Sequence, residues 1–181
     1  MKDLDIELLG SPVLRQKAEE VERMDEELKA IIDDMFHTMY RAEGIGLAGN
    51  QVGVARRVIV VDLKDEKHPP FALVNPRIIE RGGDREKEEE GCLSIPGVSA
   101  LVERPTQVTI EALDADGKTF RIEADSLLAR CLQHEIDHLD GVLFIDHLSA
   151  LKRSMLLKKY RSLAAEDEKP ANKKSAQRRD G

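Results

Sequence analysis

The chain has 181 residues, 41% of them hydrophobic and 35% charged, with no tryptophan and a formal net charge of −7. That length fits one domain with a sizeable core, and the acidity argues against a general nucleic-acid binder, DNA included. The charge is uneven: from Lys158 to the end, eight Lys/Arg stand against four Asp/Glu, so the rest is more acidic than the average.

The opening stretch MKDLDIELLGSP lacks a basic start followed by an apolar run, and it is too acidic for a transit peptide. Ser11-Pro12 marks a helix start, with a capping residue followed by proline in the first turn. Asp25 is the expected cap of a second helix. Its apolar stripe is Leu28, Ile31, Ile32, Met35, Phe36 and Met39, at i, i+3, i+4, i+7, i+8 and i+11, and it ends near Glu43-Gly44. Strand-like sequence follows at 56–63 and 71–80. A hairpin pairs QVTIEAL with FRIEA around Asp116-Gly117. Asp125 is the expected cap of a helix reaching about Leu139. A last helix starts at Ser149 and buries Leu151, Met155, Leu156 and Leu163. From about Ala165 the chain is charged and patternless, which predicts one ordered domain over 1–164 and a disordered tail over 165–181. Strands gathered between helices predict α+β: mixed or antiparallel sheet packed around the 126–139 helix, with helices at both ends.

No apolar run approaches the roughly 18 residues needed to span a membrane. The two cysteines, Cys92 and Cys131, without an export signal, favour a metal or catalytic thiol over a disulfide framework. A cytoplasmic protein without a membrane partner is expected.

The stretch HEIDHLDGVLF (134–144) carries the chemistry. On a helix, His134 and His138 project within about 40° of each other and can share one ion, with Glu135 beside it in reach of a bound water. Two surface histidines on a helix would look the same. Two imidazoles hold a metal weakly, so a third donor is needed. Phe144 stands where several zinc proteases place a third histidine. His147 lies past the expected helix end, and ordering Glu166 or Glu168 from the tail carries an entropy cost. Cys92, in EEEGCLSIPG, is a good thiolate ligand for zinc or iron(II), and a Cys-His-His set leaves a coordination position open for water. Cys131 is the rival thiol, three residues before His134 and crowded by its own backbone. It reads better as a wall residue. Leu127, Cys131, His134 and His138 form one stripe, so two apolar residues lead up to the metal; core packing is the alternative for that pair.

Together, EGCLS (Glu90–Ser94), QHEIDH (Gln133–His138) and GIGLAGNQ (Gly44–Gln51) resemble the motifs of the peptide deformylase family, in the family's order. The third departs once from Gly-x-Gly-Leu-Ala-Ala-x-Gln, with Gly49 for the second alanine, a change expected to loosen the local backbone. The resemblance spans roughly 1–165 and selects Cys92 as the third ligand. GIGLAG also matches a dinucleotide fingerprint, but its glycines follow a helix, and Asn50–Ala55 leave no room for a crossover helix before the next strand.

The resemblance implies a hydrolase that removes the formyl group from N-terminal formyl-methionine of new polypeptides, releasing formate. Cys92, His134 and His138 would hold iron(II), with zinc, nickel or cobalt as substitutes. Gln51 and the backbone N–H of Leu93 would stabilise the oxyanion, each such donor being worth about 3 kcal/mol. Glu135 would act as general base and then general acid. Ile45 and Gly46 would complete the methionine pocket with Leu127 and Cys131. The peptide would add as a strand near Ile45 and Gly91, where a side chain on Gly91 would block close approach. Two readings stand for the last helix and basic tail: contact with ribosomal RNA, and a solvated segment aiding solubility.

Overall fold

Asp25 accepts the backbone N–H of Leu28 at 2.9 Å, satisfying one of the free donors of the helix it caps. That helix, α1 (Glu26–Arg41), buries Leu28, Ile32, Met35 and Met39. Each such side chain contributes about 1.5–3 kcal/mol of burial. The computed structural model describes residues 1–168. Past α1 the chain runs through five strands: β1 (Gly46–Ala48), β2 (Val58–Val61), β3 (Phe71–Cys92), β4 (Ile95–Leu113) and β5 (Thr119–Asp125). They form one sheet in the order β1-β2-β3-β4-β5, every neighbouring pair antiparallel. The expected α+β class holds, and the sheet is antiparallel rather than mixed.

The helix α2 (Ser126–Leu139) lies on this sheet. Its Leu128, Ala129, Leu132, Ile136 and Leu139 pack with Ile59, Val61, Leu73 and Ile110. A second cluster joins α1 to the other face of β2, through Val58 and Val60. A third gathers Leu14, Ile95, Val102, Phe144, Ile145 and Leu156 beneath the last helix, α3 (Ala150–Asp167).

β3 and β4 are far longer than their sequence suggests, 22 and 19 residues. Residues 80–91 are almost wholly charged or glycine and mostly exposed, so they show no apolar alternation. Their partner is β4, and pairing is supplied by register and by cross-strand ion pairs such as Arg85–Glu103 at 3.1 Å. Register shifts between Val74/Arg77, Ile78/Glu80 and Gly82/Arg85 bend this ribbon. The expected hairpin forms between β4 and β5, with Gly117 (φ +82°) as its left-handed residue.

Several expectations need correction. Ser11-Pro12 opens only one 3-10 turn, Pro12–Arg15, because no helical stripe continues it. In α3, Leu156 is buried but Leu151 and Met155 are 71% and 65% exposed. The helix is oriented by Leu156 with Leu157, Tyr160 and Leu163 behind it, and Leu151 and Met155 fall on another side. Ser149 caps it through the Lys152 N–H, and it runs to Asp167, so residues 165–167 are helical rather than part of a tail. Glu168 closes that helix, and the rest of the expected tail, 169–181, lies outside the described residues. Gly49 does not loosen its surroundings: it is buried, and a Cβ there would stand 2.6 and 2.7 Å from the carbonyl oxygens of Val54 and Arg56. After β1 only a single 3-10 turn, Gly49–Val52, follows, so no helix opens at the glycines.

Candidate active site

The C-terminal half of α2 presents His134 and His138 one turn apart, their Nε2 atoms 3.3 Å from each other. The sulfur of Cys92 lies 3.3 Å from His138 Nε2. Cys92 is the last residue of β3, and Leu93-Ser94 make the tight turn into β4, which holds the thiol against the helix. These donor atoms all lie within 4.8 Å of one another, and no other such group occurs among the described residues. Two donors about 2 Å from one ion at a tetrahedral angle stand about 3.3 Å apart, so the spacing suits a single small divalent cation.

The rival ligands lie elsewhere. His147 Nε2 is 2.8 Å from Asp137 Oδ2. Glu166 and Glu168 are exposed, at the end of α3 and just beyond it. Cys131 is buried with its sulfur 3.9 Å from the Ile45 carbonyl, and burial pushes its thiol well above the ordinary value. Phe144 stacks on the His134 ring, 6.3 Å between centroids.

Glu135 is 5% exposed, and its Oε2 has no hydrogen-bond partner. Burial pushes this carboxyl up to about 7, against the attraction of His134. Such a group holds or releases a proton near neutrality, as a general base that later acts as an acid must. Gly46 is what makes room for it: a Cβ there would stand 2.8 Å from Glu135 Oε1 and 2.9 Å from Cys131 Sγ.

Gln51 is buried in the turn after β1. Its Oε1 accepts the Ala48 N–H at 2.9 Å, which turns Nε2 towards Ser94 Oγ at 3.3 Å and Cys92 Sγ at 3.5 Å. The N-terminal segment straps this corner, as Glu7 N–H donates to the Gln51 carbonyl and Leu9 N–H to the Ser94 carbonyl. Beside the donors opens a cavity of about 590 Å³ lined by Ile45, Gly46, Gly91, Leu93, Leu127 and Cys131, among others. The structure thus brings the expected ligands, Glu135, Gln51 and the expected pocket residues together around one cavity, with Leu127 half exposed at the rim and the rival ligands His147, Glu166 and Glu168 outside it.

Sequence reasoning missed the polar layer behind the histidines. His134 Nδ1 lies 2.9 Å from Oε1 of the buried Glu90. Glu90 also receives Arg104 Nε at 2.6 Å, Arg104 Nη2 at 2.9 Å and Arg130 Nη1 at 2.6 Å. Burial alone would raise the Glu90 carboxyl, but its bonds from His134 and Arg104 hold it well below the usual carboxylate range. A Nδ1–H donated to Glu90 leaves Nε2 as the lone-pair atom, as metal ligation requires. Nothing in EKEEEG marks which acid is buried; only strand alternation across a long β3 would have found Glu90.

A sequence model of the polypeptide deformylase family matches residues 4–154. A peptide deformylase of Brucella suis biovar 1 is 54% identical over 161 residues, covering 88% of this chain and 92% of that protein. One from Hydrogenovibrio crunogenus is 52% identical, covering 92% of this chain and 98% of its own. Among solved structures, a peptide deformylase from Legionella pneumophila superposes with a TM-score of 0.87 at 45% identity, covering 93% of this chain and all of that one. Another, from Synechococcus elongatus in complex with actinonin, gives 0.83 at 51% identity, covering 86% of each chain.

Proposed function

The chain belongs to the polypeptide deformylase family, an enzyme family that removes the N-formyl group from nascent peptides with release of formate, and we propose here how its residues divide that work. Cys92, His134 and His138 would hold one divalent ion. Iron(II) is the ion in the cell and zinc, nickel and cobalt are substitutes, all compatible with a thiolate and two imidazoles. Such an ion, when bound, would lower the pKa of a bound water from 15.7 towards about 7 and supply Lewis acidity beside it. Glu135 Oε2 takes a proton from the attacking water and returns it to the leaving amine. The Gln51 Nε2–H and the Leu93 backbone N–H donate to the carbonyl oxygen as its negative charge develops, and the bond from the Ala48 N–H keeps the Gln51 amide turned that way. Ile45, Gly46, Leu127 and Cys131 enclose the methionine side chain, and the peptide backbone pairs beside Ile45 and Gly91.

The observation that supports this reading best is the unpartnered Glu135 oxygen in a cavity shared with two of three convergent soft donors. The test is a comparison of formyl-Met-peptide, acetyl-Met-peptide and an internal amide, reading formate, acetate and newly exposed amines. Hydrolysis of the first, with formate released, is expected, and no acetate from the second. Cleavage of the internal amide would instead indicate a protease.

The workplace of the enzyme is the cytoplasm, where new chains emerge; no helix among the described residues is long and apolar enough to cross a membrane. Its second partner is the ribosome. Support comes from α3, which exposes Leu151 and Met155 alongside Lys152, Lys158, Lys159 and Arg161. Reversing Lys158, Lys159 and Arg161 to glutamate is expected to lower co-sedimentation with ribosomes severalfold at low salt, and the difference from the parent should shrink as salt rises. Equal sedimentation would remove this surface from the account.

A further inference from the structure

Arg130 is adjacent to Cys131 on α2, lines the cavity, and has a side chain only 9% exposed. A buried guanidinium facing a substrate pocket would ordinarily attract a carboxylate. Here all three of its nitrogens are engaged by groups of the protein itself. Nη1 donates to Glu90 Oε2 at 2.6 Å and to the Val102 carbonyl at 2.9 Å, Nη2 donates to the Glu86 carbonyl at 3.0 Å, and Nε pairs with Glu88 at 3.2 Å.

The other partners of Glu90 explain what this achieves. Arg104 grips both carboxylate oxygens, and its Nη1 is held in turn by Asp137 at 2.9 Å. One oxygen is left for His134 Nδ1 and the other for Arg130. Two buried cations therefore fix one buried anion, and that anion sets the ring plane and tautomer of a metal ligand. Charge-assisted bonds at 2.6 Å are at the short end of their range and resist tilting of the carboxylate.

We propose that Arg130 is a positioning residue with two faces: through Glu90 it orients His134 for the ion, and with its charge so occupied its aliphatic stem serves as an apolar wall of the pocket for the substrate's first side chain. The proposal rests on the assignment of His134 as a ligand.

The test is competition for zinc(II) between the full-length protein and a chelator, for the parent, Arg130→Met, Arg130→Lys, Glu90→Gln and the double variant Glu90→Gln/Arg130→Met. Loss of such an outer partner typically costs ten- to a hundredfold in metal affinity. Arg130→Met is expected to show that loss. Arg130→Lys, which keeps charge without the fork, should lose about three- to tenfold. In the Glu90→Gln background Arg130→Met should add less than about twofold, since its path runs through Glu90. With zinc saturating, the KM for formyl-Met-peptide should rise more in Arg130→Ala, which removes the stem, than in Arg130→Met, which keeps one; equal KM values in the two would overturn the role of the stem. A merely structural arginine would lower Tm without this coupling to Glu90. Zinc retention in Arg130→Met within twofold of the parent, or a full further loss in the Glu90→Gln background, overturns the proposal. Should Arg130→Met not fold, Arg130→Lys carries the same test: a loss in the parent background and none in Glu90→Gln. A His134→Ala control separates the two layers. Zinc retained there overturns the ligand assignment and this proposal with it, whereas zinc lost there but retained in Arg130→Met overturns the role of Arg130 alone.

Discussion

Glu135→Gln is expected to keep its metal and fold while kcat for formyl-Met-peptide falls by about two to four decades, the range over which a positioned proton carrier contributes. Glutamine has the shape of the carboxyl and fits the space that Gly46 leaves, so the wall with Cys131 stays intact. It cannot take a proton from water. The native carboxyl is fully buried with one oxygen unpartnered, and burial has already pushed it up to about 7. A neutral amide there removes a desolvation penalty, so Tm should hold or rise slightly. Metal content measured on the same preparation is what gives the kinetics meaning. A kcat within tenfold of the parent, with metal in place, would strip Glu135 of the proton-carrying role.

Cys92→Ala is expected to lose the ion itself. A closed four-donor zinc site is worth roughly 10–16 kcal/mol, so one donor accounts for about a quarter of that, or two to three decades in affinity. Chelator titration and elemental analysis of protein purified without oxygen would read both the loss and the identity of the native ion, for which iron(II) is expected. Activity should disappear with the metal and return only partly with excess zinc. Cys131→Ala is the control: its thiol is buried against Ile45 and held protonated, so its removal should leave metal content unchanged. Full metal retention in Cys92→Ala would transfer the third position to another donor and undo the site.

Short-range order was legible in the chain. The Asp25 cap, the α1 stripe, the Asp116-Gly117 hairpin, the α2 helix with its histidine pair and the Ser149 cap all rest on contacts between residues a few positions apart, which periodicity and side-chain chemistry express directly. The α+β class followed from their order. The meeting of Cys92 with the histidine pair was not written in any spacing, because 42 to 46 residues separate them; three motifs seen together were needed to select it.

Other features were decided only by tertiary structure. The charged ribbon of β3 and β4 forms because two wet strands pair with each other, and hydrogen-bond register leaves no apolar mark on a sequence. Which side of α3 is covered depended on where Phe144 and Ile145 come to rest, so Leu151 and Met155 were misassigned to the core. Nothing in the sequence set Glu90, Arg104 and Arg130 apart as buried charges, yet they form the buried layer behind His134. A charged residue's sequence neighbours say little about whether it is solvated, since burial of ions depends on partners brought from distant strands. The sequence by itself therefore determined the three long helices, the Asp25 and Ser149 caps and the identities of the reactive groups, whereas Asp125 stands at the start of α2 without a side-chain cap bond. The fold alone determined which charges are paired in the dark, and through them how the ligating imidazole is held.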